Sequence, residues 1–178
     1  DYCGLIAKRI MVLSCGSIPS TLKVYITRTT RNFIMTKVNF VILAAGKGSR
    51  MRSALPKVLH KLSGRSMLGH VVAAVESLGE AKKIIVTGHG AEQVEQQFKS
   101  PMTIFTQQKE QLGTGHAVHM AVPELCSDAV VIVLYGDVPL IRPATIEKIL
   151  AVVTESTMGL LTINLDQPTG YGRIVRNT

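Results

Sequence analysis

The motif LAAGKGSRM, residues 43–51, has the composition of a loop that holds phosphate groups. Its small residues and two glycines allow backbone N–H groups to approach an anion closely, and Lys47 and Arg50 add positive charge. The spacing differs from the GxGxxG of dinucleotide-binding proteins and from the Gly-rich GK loop of ATPases. A plain glycine turn between a strand and a helix explains this spacing equally well.

Two further motifs could complete a phosphate and metal site. Proline fixes the backbone before Lys57 and would aim its ammonium towards the loop, where a compact positive charge suits a phosphate group. In YGDVPL, Asp137 follows the most apolar stretch of the chain and offers an oxygen ligand of the kind that Mg²⁺ takes together with substrate phosphates. The alternatives are a surface lysine after a proline and an aspartate that caps a turn.

Two more loops could select a base and a sugar. QLGTGHA places Gly113 and Thr114 before a predicted helix, and Gln108 lies just upstream with an amide that can both donate to and accept from a pyrimidine edge. PTGYGR contains Gly172, where the missing side chain permits close approach of a ligand. Ordinary turn chemistry is the alternative for both loops.

The histidines and cysteines give no indication of a zinc site or a disulfide framework. His116 and His119 lie three residues apart but have no carboxylate or third histidine nearby, so we interpret them as ordinary helix-face residues. The three cysteines have no CxxC spacing, and two of them lie in the first 34 residues. Reduced cysteines of this kind indicate a cytoplasmic protein.

Short apolar, β-branched stretches alternate along the chain with longer stretches of helical periodicity, and this alternation predicts the elements that position the loops. The predicted strands cover residues 38–43, 83–86, 103–105, 129–134 and 159–165, and the predicted helices cover residues 66–78, 91–98, 115–122 and 144–154. Strands that are apolar throughout are typical of sheets covered on both faces, so the predicted fold class is α/β with a mostly parallel, doubly wound sheet. Ligands bind beyond the carboxyl ends of such strands, where the candidate loops lie.

Composition limits the classes of function. Of the 178 residues, 46% are hydrophobic and 18% are charged, which excludes a mainly disordered chain. No apolar run approaches the roughly 18 residues that span a bilayer, so we expect a soluble globular protein without a membrane partner. Aromatic residues make up 4%, which leaves little for a surface that stacks single-stranded nucleic acid, and no nucleic-acid partner is expected.

Residues 1–34 differ from the rest of the chain. They carry five basic side chains against one acidic and thus four of the eight net positive charges, and they lack sustained periodicity. The composition superficially resembles an organelle transit peptide, but Met35 directly precedes the first patterned strand, which favours sequence upstream of the domain. We therefore expect residues 1–34 to be a basic leader outside the fold and residues 35–178 to form the domain.

The motifs LAAGKGSRM, LPKVLH, QLGTGHA, LYGDVPL and PTGYGRI stand in the order and at the spacings found in one enzyme family. Over roughly residues 37–177 the sequence resembles the amino-terminal uridylyltransferase domain of bacterial bifunctional N-acetylglucosamine-1-phosphate uridylyltransferase/glucosamine-1-phosphate acetyltransferase. The first two motifs are shared by many sugar nucleotidyltransferases, whereas the other three are more particular. The resemblance implies a Rossmann-like nucleotide-diphospho-sugar transferase fold and an Mg²⁺-dependent transfer of UMP from UTP to N-acetylglucosamine-1-phosphate.

The resemblance also implies roles for individual residues. Arg50 and Lys57 match the basic pair that holds the triphosphate, and with Asp137, which matches the metal ligand, they are the expected catalytic residues. The expected substrate-binding positions are Leu43, Ala44, Ala45 and Gly46 around the nucleotide, Lys57 at the phosphates, Gln108, Gly113 and Thr114 at uracil, Tyr135, Gly136 and Asp137 towards sugar and metal, and Gly172 at the amino sugar.

The family's domain continues beyond the position that matches Thr178. There it carries further sugar contacts, a second metal-ligating side chain and a β-helix acetyltransferase to which the family's homotrimer is attributed. We therefore expect this chain to hold the nucleotide half of the site, to bind UTP weakly without useful turnover, and not to keep the trimer. The alternatives are a nucleotidyltransferase for another sugar phosphate or cofactor phosphate, and a nucleotide-binding module without turnover.

Overall fold

The computed structural model describes residues 10–12, 38–46, 48, 51–127, 129–154, 156–167 and 169. Within these residues, five strands form one sheet, two more form a small hairpin, and four α-helices flank the sheet. The strands are β1 (Ile10–Val12), β2 (Val38–Ala44), β3 (Lys61–Leu62), β4 (Arg65–Ser66), β5 (Lys82–Thr87), β6 (Thr103–Gln107) and β7 (Val130–Tyr135). The helices are α1 (Met67–Glu76), α2 (Ala91–Phe98), α3 (Thr114–Ala121) and α4 (Pro143–Leu150), with short 3-10 helices at Lys57–Leu59 and Val122–Glu124.

The large sheet is parallel throughout, with strand order β1-β7-β2-β5-β6. The chain builds β5 and β6 on one side of β2 and then returns to place β7 on the other side. This reversal leaves a crevice beyond the carboxyl end of β2, where open α/β sheets bind ligands. The predicted α/β class with a mostly parallel, doubly wound sheet is confirmed.

Strand β2 is the centre of the core because both of its faces are covered. Phe40 and Ile42 pack in one apolar cluster with residues of α1, α2 and α4, whereas Val41 and Leu43 pack in a second cluster with residues of α3. Full burial of a Val, Leu, Ile or Phe side chain contributes about 1.5–3 kcal/mol to the free energy of folding. The period of two along a strand thus turns one continuous apolar run into two cores.

Local chemistry sets the helix ends. Ser66 caps α1, since its hydroxyl accepts a hydrogen bond from the Gly69 N–H at 3.2 Å. The last predicted helix, residues 144–154, instead runs over Pro143–Leu150. After that point the Thr157 hydroxyl donates to the Val152 carbonyl at 2.8 Å and accepts from the Thr154 N–H at 2.9 Å. These side-chain bonds compete with helical ones, so the helix ends earlier than its periodicity predicts.

Two further expectations differ from the structure. The strand predicted for residues 159–165 is absent in the described segment 156–167, where Leu161 alone forms an isolated bridge. Conversely, β1 belongs to the leader placed outside the fold, yet it pairs with β7 from Ile10 opposite Val131 to Val12 opposite Val133. With β2 on one side and β1 on the other, β7 has no edge left for a further strand. The rest of the leader lies outside the described residues, and the domain boundary stays a prediction.

The helices in the described part of the chain are all too short or too polar to cross a membrane.

Candidate active site

A cleft of about 290 Å³ opens at the carboxyl end of the sheet. The loops after β2, β6 and β7 line it, together with the 3-10 helix that begins at Lys57 and the start of α3. Its lining residues are Leu43, Ala45, Gly46, Lys57, Val58, Gln108, Gln111, Gly113, Thr114, Ala117, Tyr135 and Asp137.

An ion pair crosses this cleft. The Lys57 Nζ donates to Asp137 Oδ2 at 2.6 Å, although 80 positions separate the two residues in the chain. Their side chains are 38% and 30% exposed, so both charges are accessible to a ligand in the cleft. Lys57 can therefore meet an anion and Asp137 a cation.

Glycines without room for a side chain hold Lys57 in place. A Cβ on Gly90 would collide with the ring of Pro56, which directly precedes Lys57. A Cβ on Gly48, where φ is +58°, would lie 2.6 Å from the Cβ of Lys57. The loops after β2 and β5 thus contact the backbone around Lys57 closely on two sides.

The loop after β2 is fixed by backbone contacts with its neighbours. The Gly136 N–H, just after β7, donates to the Leu43 carbonyl at 2.9 Å. On the other side, Gly88 lies so close to Ala45 that an added Cβ would be 2.5 Å from the Ala45 carbonyl oxygen. The Ala45 carbonyl also accepts a hydrogen bond from Gln111 Nε2 at 2.5 Å. The loop that could hold phosphates is therefore tied to the loops after β5, β6 and β7.

Gln108 is the buried polar residue of the cleft wall, at 4% exposure. Its backbone N–H donates to the Thr87 carbonyl at 2.8 Å, which continues the pairing of β5 and β6 past the end of the sheet. Its side-chain amide donates to the Gly113 carbonyl at 3.1 Å and lies 3.0 Å from His116 Nδ1. The expectation that this amide both donates to and accepts from a ligand meets a constraint, since its hydrogens already face two acceptors within the protein.

The structure brings most of the sequence-predicted residues together. Those that line the cleft are Leu43, Ala45, Gly46, Lys57, Gln108, Gly113, Thr114, Tyr135 and Asp137. Ala44 and Gly136 do not line it: Ala44 packs in the core on the opposite face of β2, and Gly136 is buried behind the cleft. Arg50 and Gly172 lie outside the described residues, and their roles stay predictions.

Three lining residues had no assigned role in the sequence analysis: Val58, Gln111 and Ala117. Gln111 stands between Gln108 and Gly113 in a loop that was singled out, so its position was a usable signal. Val58 and Ala117 are ordinary core residues by type, and only the folded chain shows that they also border the cleft.

The carboxylate of Asp137 fits one kind of metal. Among the residues that the structure describes, no three His, Cys, Asp or Glu side chains gather as a set of metal ligands. A lone carboxylate in an open cleft does not make a closed structural zinc site. It does fit Mg²⁺ or a similar ion that takes most of its ligands from substrate phosphates and water.

Comparisons with known proteins agree with this geometry. Residues 40–171 match the family model described as the MobA-like NTP transferase domain. Over 141 residues, 79% of this chain and 31% of the relative, the sequence is 53% identical to the bifunctional protein GlmU of Cellvibrio japonicus. A nucleotidyl transferase from Methanothermobacter thermautotroptrophicus has a similar structure, with a TM-score of 0.56 and 29% identity over 64% of this chain and 56% of that one. The manganese complex of Rv0371C from Mycobacterium tuberculosis H37Rv is also similar, with a TM-score of 0.55 and 23% identity over 66% of this chain and 59% of that one.

The chain spans about a third of the length of the GlmU relatives it matches. The family model, in contrast, covers most of the chain, from within β2 to beyond the last described residue. The residues that line the cleft lie inside this match, as do β5, β6, β7 and β2 from Phe40 onwards, whereas β1 lies outside it. By sequence and by fold, the chain belongs to the MobA-like NTP transferase domain family.

Proposed function

We propose that this chain takes part in the transfer of UMP from UTP to N-acetylglucosamine-1-phosphate, which yields UDP-N-acetylglucosamine and pyrophosphate. One observation carries the proposal: a single cleft holds the Lys57–Asp137 pair and, on another wall, the buried amide of Gln108. The first suits a triphosphate with its metal, and the second suits a nucleobase. The identity with GlmU relatives over this region supports the choice of substrates.

The reaction needs no protein nucleophile. A phosphate oxygen of the sugar phosphate attacks the α-phosphorus of UTP, the new P–O bond forms, and the bond to the β-phosphate oxygen breaks as pyrophosphate leaves. Alignment of the two anions and neutralisation of their charge are the main requirements. In this proposal Lys57 separates from Asp137 and pairs with the phosphates of UTP. The loop after β2 donates backbone N–H groups to the same phosphates.

Asp137 is the proposed ligand of a divalent metal, and we propose Mg²⁺. The ion would neutralise phosphate charge and orient the two substrates. Support comes from the partly exposed carboxylate in the cleft and from the fold, which one manganese-bound structure shares. Arg50 and Gly172 are proposed, on the resemblance alone, as a second triphosphate contact and a contact to the amino sugar.

We also propose a cytoplasmic protein without a nucleic-acid or membrane partner. After residue 34 the chain has 15 basic side chains (20 − 5) and 11 acidic ones (12 − 1), an ordinary surplus without the clustering of a nucleic-acid footprint.

Calorimetric titration with UTP, CTP, ATP and GTP in the presence of Mg²⁺ tests the nucleotide. UTP is expected to bind most tightly, and tighter binding of a purine nucleotide would overturn the proposal. Pyrophosphate release that requires N-acetylglucosamine-1-phosphate, even at a rate far below useful turnover, is the result expected of the transferase. Release with a different sugar phosphate instead would favour another nucleotidyltransferase, and UTP binding without release would favour a nucleotide-binding module.

Variants of two acidic residues test the metal. Asp137→Asn is expected to lower any pyrophosphate release by more than tenfold, because the variant removes a charge and a metal bond. The matched control is Glu147→Gln, which removes the same charge on the exposed side of α4, away from the cleft. Equal release by the two variants would refute the role of Asp137.

A further inference from the structure

The side-chain amide of Gln108 is held in one orientation by the protein itself. Its nitrogen lies 3.1 Å from the Gly113 carbonyl oxygen, which can only accept a hydrogen bond. The atom facing that oxygen must therefore be the NH₂ group and not the amide carbonyl. With the side chain 4% exposed, a reversed amide would bury two acceptors against each other.

The same NH₂ group lies 3.0 Å from His116 Nδ1. Both amide hydrogens then have acceptors within the protein, one at Gly113 and one at His116. For Nδ1 to accept, the His116 ring must be neutral with its proton on Nε2. His116 lies in the first turn of α3 and is half-buried, so its ring is anchored by the helix.

This arrangement leaves the Gln108 carbonyl oxygen as the group that can meet a ligand. Among the described residues no donor is bonded to that oxygen, and Gln108 lines the cleft. An acceptor selects a base edge that carries a ring N–H. Uracil presents its N3–H, whereas cytosine presents an unprotonated N3 that an acceptor repels.

We infer that His116 is a positioning residue for base choice: by accepting the second amide hydrogen of Gln108 it leaves the carbonyl oxygen as the part of the amide that is free to meet the base, and so favours uracil over cytosine. The Gly113 carbonyl sets which end of the amide is the NH₂ group, but it engages only one of the two hydrogens and also accepts the Ala117 N–H at 3.1 Å. Without His116 the second hydrogen is free to serve the N3 of cytosine. This inference rests on the proposed function, since it concerns the same nucleotide site.

The test compares UTP and CTP affinities, measured by calorimetric titration of the full chain. His116→Ala is expected to lower the ratio of UTP to CTP affinity by roughly tenfold, the lower end of the effect of leaving a buried donor without its partner. His116→Asn is expected to restore most of the ratio, because its side-chain oxygen can accept near the position of Nδ1. The control is His119→Ala, an exposed residue of the same helix, which should leave the ratio unchanged.

Two outcomes separate this inference from the proposed function. A parent protein that does not prefer UTP over CTP overturns both. A parent that prefers UTP, with a His116→Ala ratio within twofold of it, overturns the inference alone.

A measurement on the unmodified chain tests the inference even where the His116 variants fail to fold. The ¹⁵N chemical shifts of the His116 ring are expected to show an unprotonated Nδ1 and a protonated Nε2. A ring protonated on Nδ1 would make it a second donor against the amide NH₂, and the inference would be wrong.

Discussion

From the Lys57–Asp137 pair we predict that removal of one binding-site residue strengthens nucleotide binding, whereas such removals usually weaken it. In the free protein each charge is engaged by the other at 2.6 Å. A triphosphate that takes Lys57 must first separate the pair, and it must also approach the Asp137 carboxylate. Without a divalent metal, Asp137 therefore opposes UTP binding on both counts, and Asp137→Asn should strengthen it.

The size of this effect follows from distance and exposure. In bulk water two unit charges 2.6 Å apart attract with about 1.6 kcal/mol. Ordering two side chains costs part of that energy, and measured ion pairs between exposed side chains contribute roughly 0.2–1 kcal/mol. Release from the pair should thus strengthen UTP binding by up to about fivefold, and loss of the repulsion between Asp137 and the triphosphate adds to it.

The assay is calorimetric titration of UTP in EDTA at low and at moderate salt. Asp137→Asn is expected to bind UTP more tightly than the parent, with the gain shrinking as salt screens both interactions. Glu147→Gln changes the net charge equally and should give a much smaller gain. With Mg²⁺ present the order of parent and Asp137→Asn should reverse. Weaker UTP binding by Asp137→Asn in EDTA would show that the carboxylate does not oppose the nucleotide, and the assignment of Lys57 to the triphosphate would then be wrong.

Two more predictions concern the scaffold around the cleft. Gly88→Ala should lower the free energy of unfolding by roughly 1–3 kcal/mol, because its new Cβ would lie 2.5 Å from the Ala45 carbonyl oxygen. The control is Gly115→Ala, whose new Cβ would meet no atom within 4 Å and should not lower it. Chemical denaturation of both variants measures the difference, and an equal loss of stability would refute the close contact at Gly88. Removal of residues 1–34 should lower the thermal midpoint of unfolding by only a few degrees, since only three described residues of that segment pair with β7. A fall of more than roughly ten degrees in a calorimetric scan would show that the segment packs against the domain more extensively.

Helices and strands whose buried residues recur with a regular local period were predicted well from the sequence. The helix predicted for residues 91–98 is α2 itself, and four of the predicted strands match β2, β5, β6 and β7 to within two residues at each end. A period of two or of 3.6 in apolar side chains needs no knowledge of distant residues. The parallel, doubly wound class followed from the same pattern, because apolar strands that alternate with helices are typical of sheets covered on both faces.

Features that depend on distant partners were not predicted. The phosphate and metal roles of Lys57 and Asp137 were expected, but not that the two side chains would bind each other, since nothing local joins positions 80 apart. The hairpin of β3 and β4 is a local feature that was also missed, because its strands have only two residues each and show no periodicity. In its turn Ser63 and Gly64 both take positive φ, as tight hairpins require. For Gln108 the sequence indicated a residue that lies in the cleft wall, and its role at the base stays a prediction. Which of its side-chain atoms remain free depends on Gly113 and His116, and only the fold brings these residues together.

The sheet order also sets when the cleft can exist during synthesis. Strands β2, β5 and β6 lie side by side and can pair as soon as β6 has left the ribosome, which gives a partial sheet with the Gln108 loop at its end. Asp137 follows β7, so until β7 joins β2 the ammonium of Lys57 has no counter-ion across the crevice and one edge of β2 is open. A nascent chain released between these two events would expose the apolar edge of its central strand, and chaperones recognise such a surface. For this topology β7, the last of the described strands to be synthesised, therefore closes the sheet beside β2 and brings Asp137 to the candidate site in a single step.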